Sequence, residues 1–132
     1  MIQGMAKKRI LIVEDDPSVR TLLEKALALD YEIESVADGV AAVRRISQPP
    51  AADVILCDIM LPGVDGFEVA RRAKASSHWS NVPIVFLTAR TTPKDVILGI
   101  QAGARHYLTN PFKIQGVLDK LARITLGESG AP

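Results

Sequence analysis

The sequence predicts an α/β fold, a doubly wound five-stranded parallel sheet with helices on both faces. Three observations predict it. Runs rich in β-branched residues stand at 9–13, 54–57 and 84–87 and are apolar without alternation, the pattern of strands covered on both sides. Stretches with apolar residues on one helical face separate them. The strand-helix order repeats five times, and right-handed crossovers between parallel strands place such helices on both sides of one sheet.

The first strand, residues 9–13, runs into Glu14, Asp15 and Asp16. Asp16-Pro17 joins an N-cap residue to a first-turn proline, and Val19, Leu22, Leu23, Ala26 and Leu27 then recur on one helical face. A weaker strand covers 31–36 and a helix 40–46. The third strand, 54–57, ends at Asp58, and a helix over 67–75 follows the turn residues Pro62 and Gly63. The polar loop 76–81 places His78 and Trp79 at the surface. The fourth strand, 84–87, leads into Thr88-Ala89, a helix covers 94–101, and a short strand covers 106–108. A last helix, 114–125, turns Val117, Leu118, Leu121 and Ile124 inward. Residues 8–126 thus form one domain, with flexible ends at 1–7 and 127–132.

At 132 residues the chain fits one core. Its net charge of +1 gives no bulk attraction to nucleic acid or anionic membrane, and no basic patch suggests direct nucleic-acid contact. No apolar run approaches the ~20 residues that span a bilayer. The single cysteine, Cys57, excludes an internal disulfide and suits a reducing cytoplasm. By strand alternation its side chain opposes that of Asp58, in a packing role.

Chemistry is sought at the C-terminal edge of a parallel sheet, where the strand order reverses. Neighbouring first and third strands would bring several carboxylates together there, an arrangement whose repulsion a cation relieves. Oxygen ligands of this kind suit Mg2+. Asp15 and Asp16 alone could equally cap the following helix. Asp58 has no such use, because the next helix begins only near residue 66 or 67.

Four segments in this order resemble the receiver domains of bacterial two-component response regulators: Glu14-Asp15-Asp16, Asp58-Ile-Met-Leu-Pro-Gly-Val-Asp-Gly66, Leu87-Thr-Ala89 and Gly103 to Phe112. The resemblance covers about residues 8 to 126 and implies the flavodoxin-like strand order 2-1-3-4-5, as in chemotaxis regulators. It further implies that Asp58 accepts a phosphoryl group from a histidine kinase or phosphotransfer protein. Mg2+ would then be held by Asp16, Asp58 and the backbone carbonyl of Met60, with Asp15 helping through water. Thr88 would hydrogen-bond the phosphoryl group, and Tyr107 would follow it inward, remodelling the face of the fourth helix, fifth strand and fifth helix. A downstream effector protein or an output domain outside this chain would read that face. Such a protein is a signalling module, catalysing only its own phosphoryl transfer and dephosphorylation.

Two positions depart from the family pattern. Asn110 stands where receivers carry lysine before Pro-Phe, and losing that charge-assisted contact weakens phosphoryl stabilisation by about 1.5–3 kcal/mol. Arg105-His106 replaces an acidic pair used in the active dimer of winged-helix transcription regulators, so that dimer is not expected. Asn110 motivates an alternative, a pseudo-receiver docking module uncoupled from phosphorylation. A phosphohydrolase of the aspartyl type would need a second aspartate where Met60 stands, and a flavin carrier a phosphate-cradling loop in place of three acids.

Overall fold

The computed structural model describes residues 7–88, 93–102, 106–109 and 112–126. Five strands, β1 (Arg9–Val13), β2 (Glu32–Val36), β3 (Val54–Asp58), β4 (Ile84–Thr88) and β5 (His106–Thr109), alternate with five helices. These are α1 (Pro17–Leu27), α2 (Gly39–Ile46), α3 (Gly66–Ala75), α4 (Pro93–Gln101) and α5 (Ile114–Thr125). All strand pairs are parallel, in the order β2-β1-β3-β4-β5. The predicted fold and strand order are therefore those observed. The termini expected to be flexible lie outside the described residues, apart from Lys7.

Strand alternation divides the interior into two cores. Leu11, Val13, Ile55, Cys57, Ile84 and Phe86 face α2 and α3. Ile10, Ile12, Val54, Leu56, Val85 and Leu87 face α1 and α5. The central strands β1 and β3 are buried almost throughout, whereas the edge strand β2 is exposed or half-buried along its length.

Three aspartates start three helices. Asp16 accepts from the backbone N–H groups of Ser18 and Val19, Asp38 from Ala41, and Asp65 from Glu68. Each satisfies a donor left over by the first helical turn.

Trp79 departs from its expected surface position. Its side chain is fully buried, and its indole N–H donates to the carbonyl of Gln48 at 2.8 Å. The guanidinium of Arg45 lies 4.9 Å from the ring centroid. The polar sequence around it conceals this burial, because the loop folds beneath the sheet and carries one large apolar ring into the α2–α3 core.

Candidate functional site

The register of β1 and β3 builds the site. Val13 pairs with Cys57, so the next residue on each strand, Glu14 and Asp58, lies at the same level at the sheet's C-terminal edge. Glu14 extends β1 by one step, donating its N–H to the carbonyl of Val36 at 3.2 Å. Its side chain is buried, that of Asp58 is half-buried, and that of Asp15 is exposed. Carboxylate oxygens of Glu14, Asp15 and Asp58 all lie within 4.8 Å of one another.

Backbone groups hold these carboxylates in place. The N–H of Met60 donates to Asp58 Oδ1 at 3.1 Å, and that of Asp16 to Glu14 Oε2 at 3.1 Å. Arg20, on α1, donates from Nη1 to the carbonyl of Glu14 at 2.8 Å, tying the β1–α1 turn to the first helix. After Asp58 the chain turns through Gly63, whose φ of 78° favours a residue without a Cβ. Gly66 then starts α3 directly on the strand end. A Cβ there would lie 2.7 Å from the Cα of Ile59 and closer still to the carbonyl oxygen of Asp58. The segment between Asp58 and Gly66 is thus shaped by two glycines to present the carboxylate at the edge.

Burial is the main reason the Glu14 carboxyl titrates at about 8 instead of 4.5, opposed by the Asp16 N–H and reinforced by the charges of Asp58 and Asp15. Burial also raises Asp58, opposed by the N–H of Met60 and by a hydrogen bond from Glu14. Glu14 is the partner that keeps the proton, its carboxyl donating to the Asp58 carboxylate. Three crowded carboxyl groups, two of them reluctant to ionise, are a set of hard oxygen donors that a divalent cation would relieve. They fit Mg2+.

The expected site residues divide. Asp15 and Asp58 come together as anticipated, and Glu14 completes the cluster. Asp16, expected as a direct ligand, is placed at the start of α1, where its Oδ1 accepts from Ser18 N at 2.8 Å and Val19 N at 3.3 Å. The chain leaves the sheet after Glu14, so the last acid of the triplet belongs to the helix. The missed signal was register, since Glu14 is the acid that continues β1 alongside Asp58. Met60 is 60% exposed beside the cluster. Thr88 ends β4 one residue beyond Leu87, the partner of Asp58, but its side chain lies outside the described residues, as do Asn110 and Arg105. Tyr107 packs half-buried on the core formed with α2 and α3, its ring 5.5 Å from that of Phe86 and inclined at 63°. Cys57 is buried with its thiol donating to the carbonyl of Asp58 at 3.1 Å, and burial pushes that thiol well above its usual value.

The response regulator receiver domain matches residues 10–122, and the chain belongs to that family. It is 39% identical to the transcriptional regulatory protein TcrA of Mycobacterium tuberculosis, over 89% of this chain and 46% of that protein. It is 40% identical to the DNA-binding response regulator MtrA of Mycolicibacterium smegmatis, over 81% and 46%. The chain thus spans about half the length of the curated relatives it matches. Among solved structures, it is 39% identical to the receiver domain of a sensor histidine kinase from Pseudomonas aeruginosa PAO1, described with a magnesium ion coordinated in the active site cleft. That match has a TM-score of 0.80 and covers 89% of this chain and 97% of that one. The chemotaxis protein CheY4 of Vibrio cholerae is 32% identical with a TM-score of 0.84, over 90% and 99%.

The chain is therefore a receiver domain of the two-component response-regulator family, a signalling module. Among the described residues, no helix is long and apolar enough to cross a membrane.

Proposed function

We propose that Asp58 accepts a phosphoryl group from a histidine kinase or phosphotransfer protein, with Mg2+ held by Glu14, Asp15, Asp58 and the backbone carbonyl of Met60. The observation that carries this reading is the convergence of three carboxylates around a half-buried aspartate at the sheet edge. A carboxylate oxygen of Asp58 attacks phosphorus, the bond from phosphorus to the donor's imidazole nitrogen breaks, and that nitrogen keeps the electron pair. Bound Mg2+ supplies charge neutralisation on the phosphoryl oxygens. The Met60 N–H fixes the orientation of the Asp58 carboxylate through Oδ1. Glu14 gives up its proton when a cation enters, so that the whole cluster carries the charge that holds it.

Thr88 then bonds the phosphoryl group and Tyr107 responds, changing the face made by α4, β5 and α5. An effector protein or an output domain reads that face, in a cytoplasmic setting to which a buried free thiol at Cys57 is suited. The relatives named as transcriptional regulators support an output of that kind.

Incubation with acetyl phosphate and Mg2+ followed by intact-mass measurement tests the first step. One phosphoryl adduct is expected on the wild type and none on Asp58→Asn; an adduct that survives the substitution sinks the assignment. Asn110 favours a second reading, a docking module that takes up phosphate without transmitting it. Unchanged chemical shifts around Tyr107 on beryllofluoride binding would support that reading, and large shifts would exclude it.

A further inference from the structure

Two glycines stand inside helices where alanine would be the better helix former, Gly99 in α4 and Gly116 in α5. Their surroundings differ. A Cβ built on Gly116 meets nothing within 4 Å. One built on Gly99 lies 2.5 Å from Cζ of Tyr107, 2.7 Å from Cε2, and against the phenolic oxygen itself, where carbon contacts prefer about 3.5–4.0 Å. The end of the Tyr107 ring therefore rests on the bare backbone of α4.

The ring has little room to give on its other side. Tyr107 pairs with Phe86 across β4 and β5 and meets it edge to face. Phe86 is fully buried and meets Phe67 of α3 in turn, at 5.4 Å and 86°. The three aromatic rings form a packed row from α3 to α4, ending at Gly99. A methyl group at 99 cannot push the row into the core, so the side chain that must shift to make room for it is Tyr107.

We propose that Gly99 is the positioning residue for Tyr107: its missing side chain is the seat against which the ring rests in this structure, and it sets how far the resting protein is biased toward that ring position. The proposal rests on the reading of Tyr107 as the switching side chain. It assigns to α4 a part in the switch, because the seat of the ring lies on that helix and any movement of α4 relative to β5 opens or closes it.

The chain has two tyrosines, Tyr31 and Tyr107, and Tyr31 is buried in the other core, with α1 and α5. Fluorotyrosine labelling and 19F NMR therefore give one reporting and one reference resonance. In the resting protein Gly99→Ala is expected to move the Tyr107 resonance, leave that of Tyr31 in place, and blunt the further movement on beryllofluoride. Gly116→Ala should move neither. A Tyr107 resonance at its wild-type position in Gly99→Ala overturns the proposal, and so does an equal displacement in Gly116→Ala. Thermal melts give a second reading. Gly99→Ala should raise the melting midpoint more in a Tyr107→Leu background than in the wild type, and equal shifts in both overturn the proposal. If beryllofluoride binds the wild type without moving Tyr107, the switch reading itself fails and takes the proposal with it. If it moves Tyr107 identically in the wild type and Gly99→Ala, only the assignment of Gly99 fails.

Discussion

The two ends of the sheet handle polar groups in opposite ways. At the N-terminal end, charges are paired and donors have acceptors. Arg45 donates to Glu34 at 2.6 Å and to the carbonyls of Gln48 and Pro50 at 2.9 and 2.7 Å, while covering Trp79. Ser76 Oγ donates to the carbonyl of Ile46, and the N–H of Arg9 to Asp53. At the C-terminal end, three carboxyl groups crowd together, and burial suppresses the ionisation of Glu14 and Asp58. One end ties its charged and polar groups together across several elements, whereas the other holds crowded carboxyl groups whose repulsion a cation would relieve. Function sits where the fold is least content.

If the ends are independent, each can be damaged without harming the other. The largest expected effect is at the N-terminal end: Trp79→Ala should cost about 3–5 kcal/mol in urea unfolding. Calorimetric Mg2+ affinity, measured where the variant is folded, should be unchanged; a weakened affinity would break the comparison.

Next comes pH. Glu14 is raised when folded, to about 8 from the usual 4.5, so the folded state holds an extra proton between these values. Its contribution to stability is therefore fully present below about 4.5 and lost as pH rises through about 8. Without Mg2+, stability should fall across this window by an amount on the order of a few kcal/mol. Glu14→Gln should flatten that slope, and Mg2+ affinity of the wild type should rise over the same window. Melting curves from pH 5 to about 8 with and without Mg2+ decide the matter, and a slope that survives Glu14→Gln refutes the assignment of the proton.

The smallest effects separate two neighbouring acids. Asp16→Ala should cost about 1 kcal/mol through the lost cap and leave Mg2+ affinity nearly intact. Asp15→Asn should do the reverse, weakening Mg2+ binding while stability holds or rises. Exchange of the two outcomes would restore Asp16 as the ligand.

Much of this molecule was legible before any coordinates. Strands such as Ile10 to Val13 and Val54 to Cys57 declare themselves because residues buried on both faces leave an unbroken apolar run. Asp16 marks a helix start because capping is local chemistry. Asp58 was readable because an acid at the end of a core strand, ahead of turn residues, has no structural use. Trp79 was misread because the hydrophilic residues around it say nothing of where its loop folds. Glu14 was passed over because choosing among three consecutive acids needs the pairing of Val13 with Cys57, which no single segment encodes.

The sequence by itself therefore determined the order of elements, the sheet edge that carries the chemistry, and the aspartate at its centre, because all three follow from periodicity and capping within short segments. The tertiary structure alone decided that Glu14 joins Asp58 while Asp16 serves α1, that Trp79 closes the opposite end, and that Tyr107 rests on Gly99. Those outcomes depend on strand register and on contacts between residues distant in the chain, which form only when the elements pack.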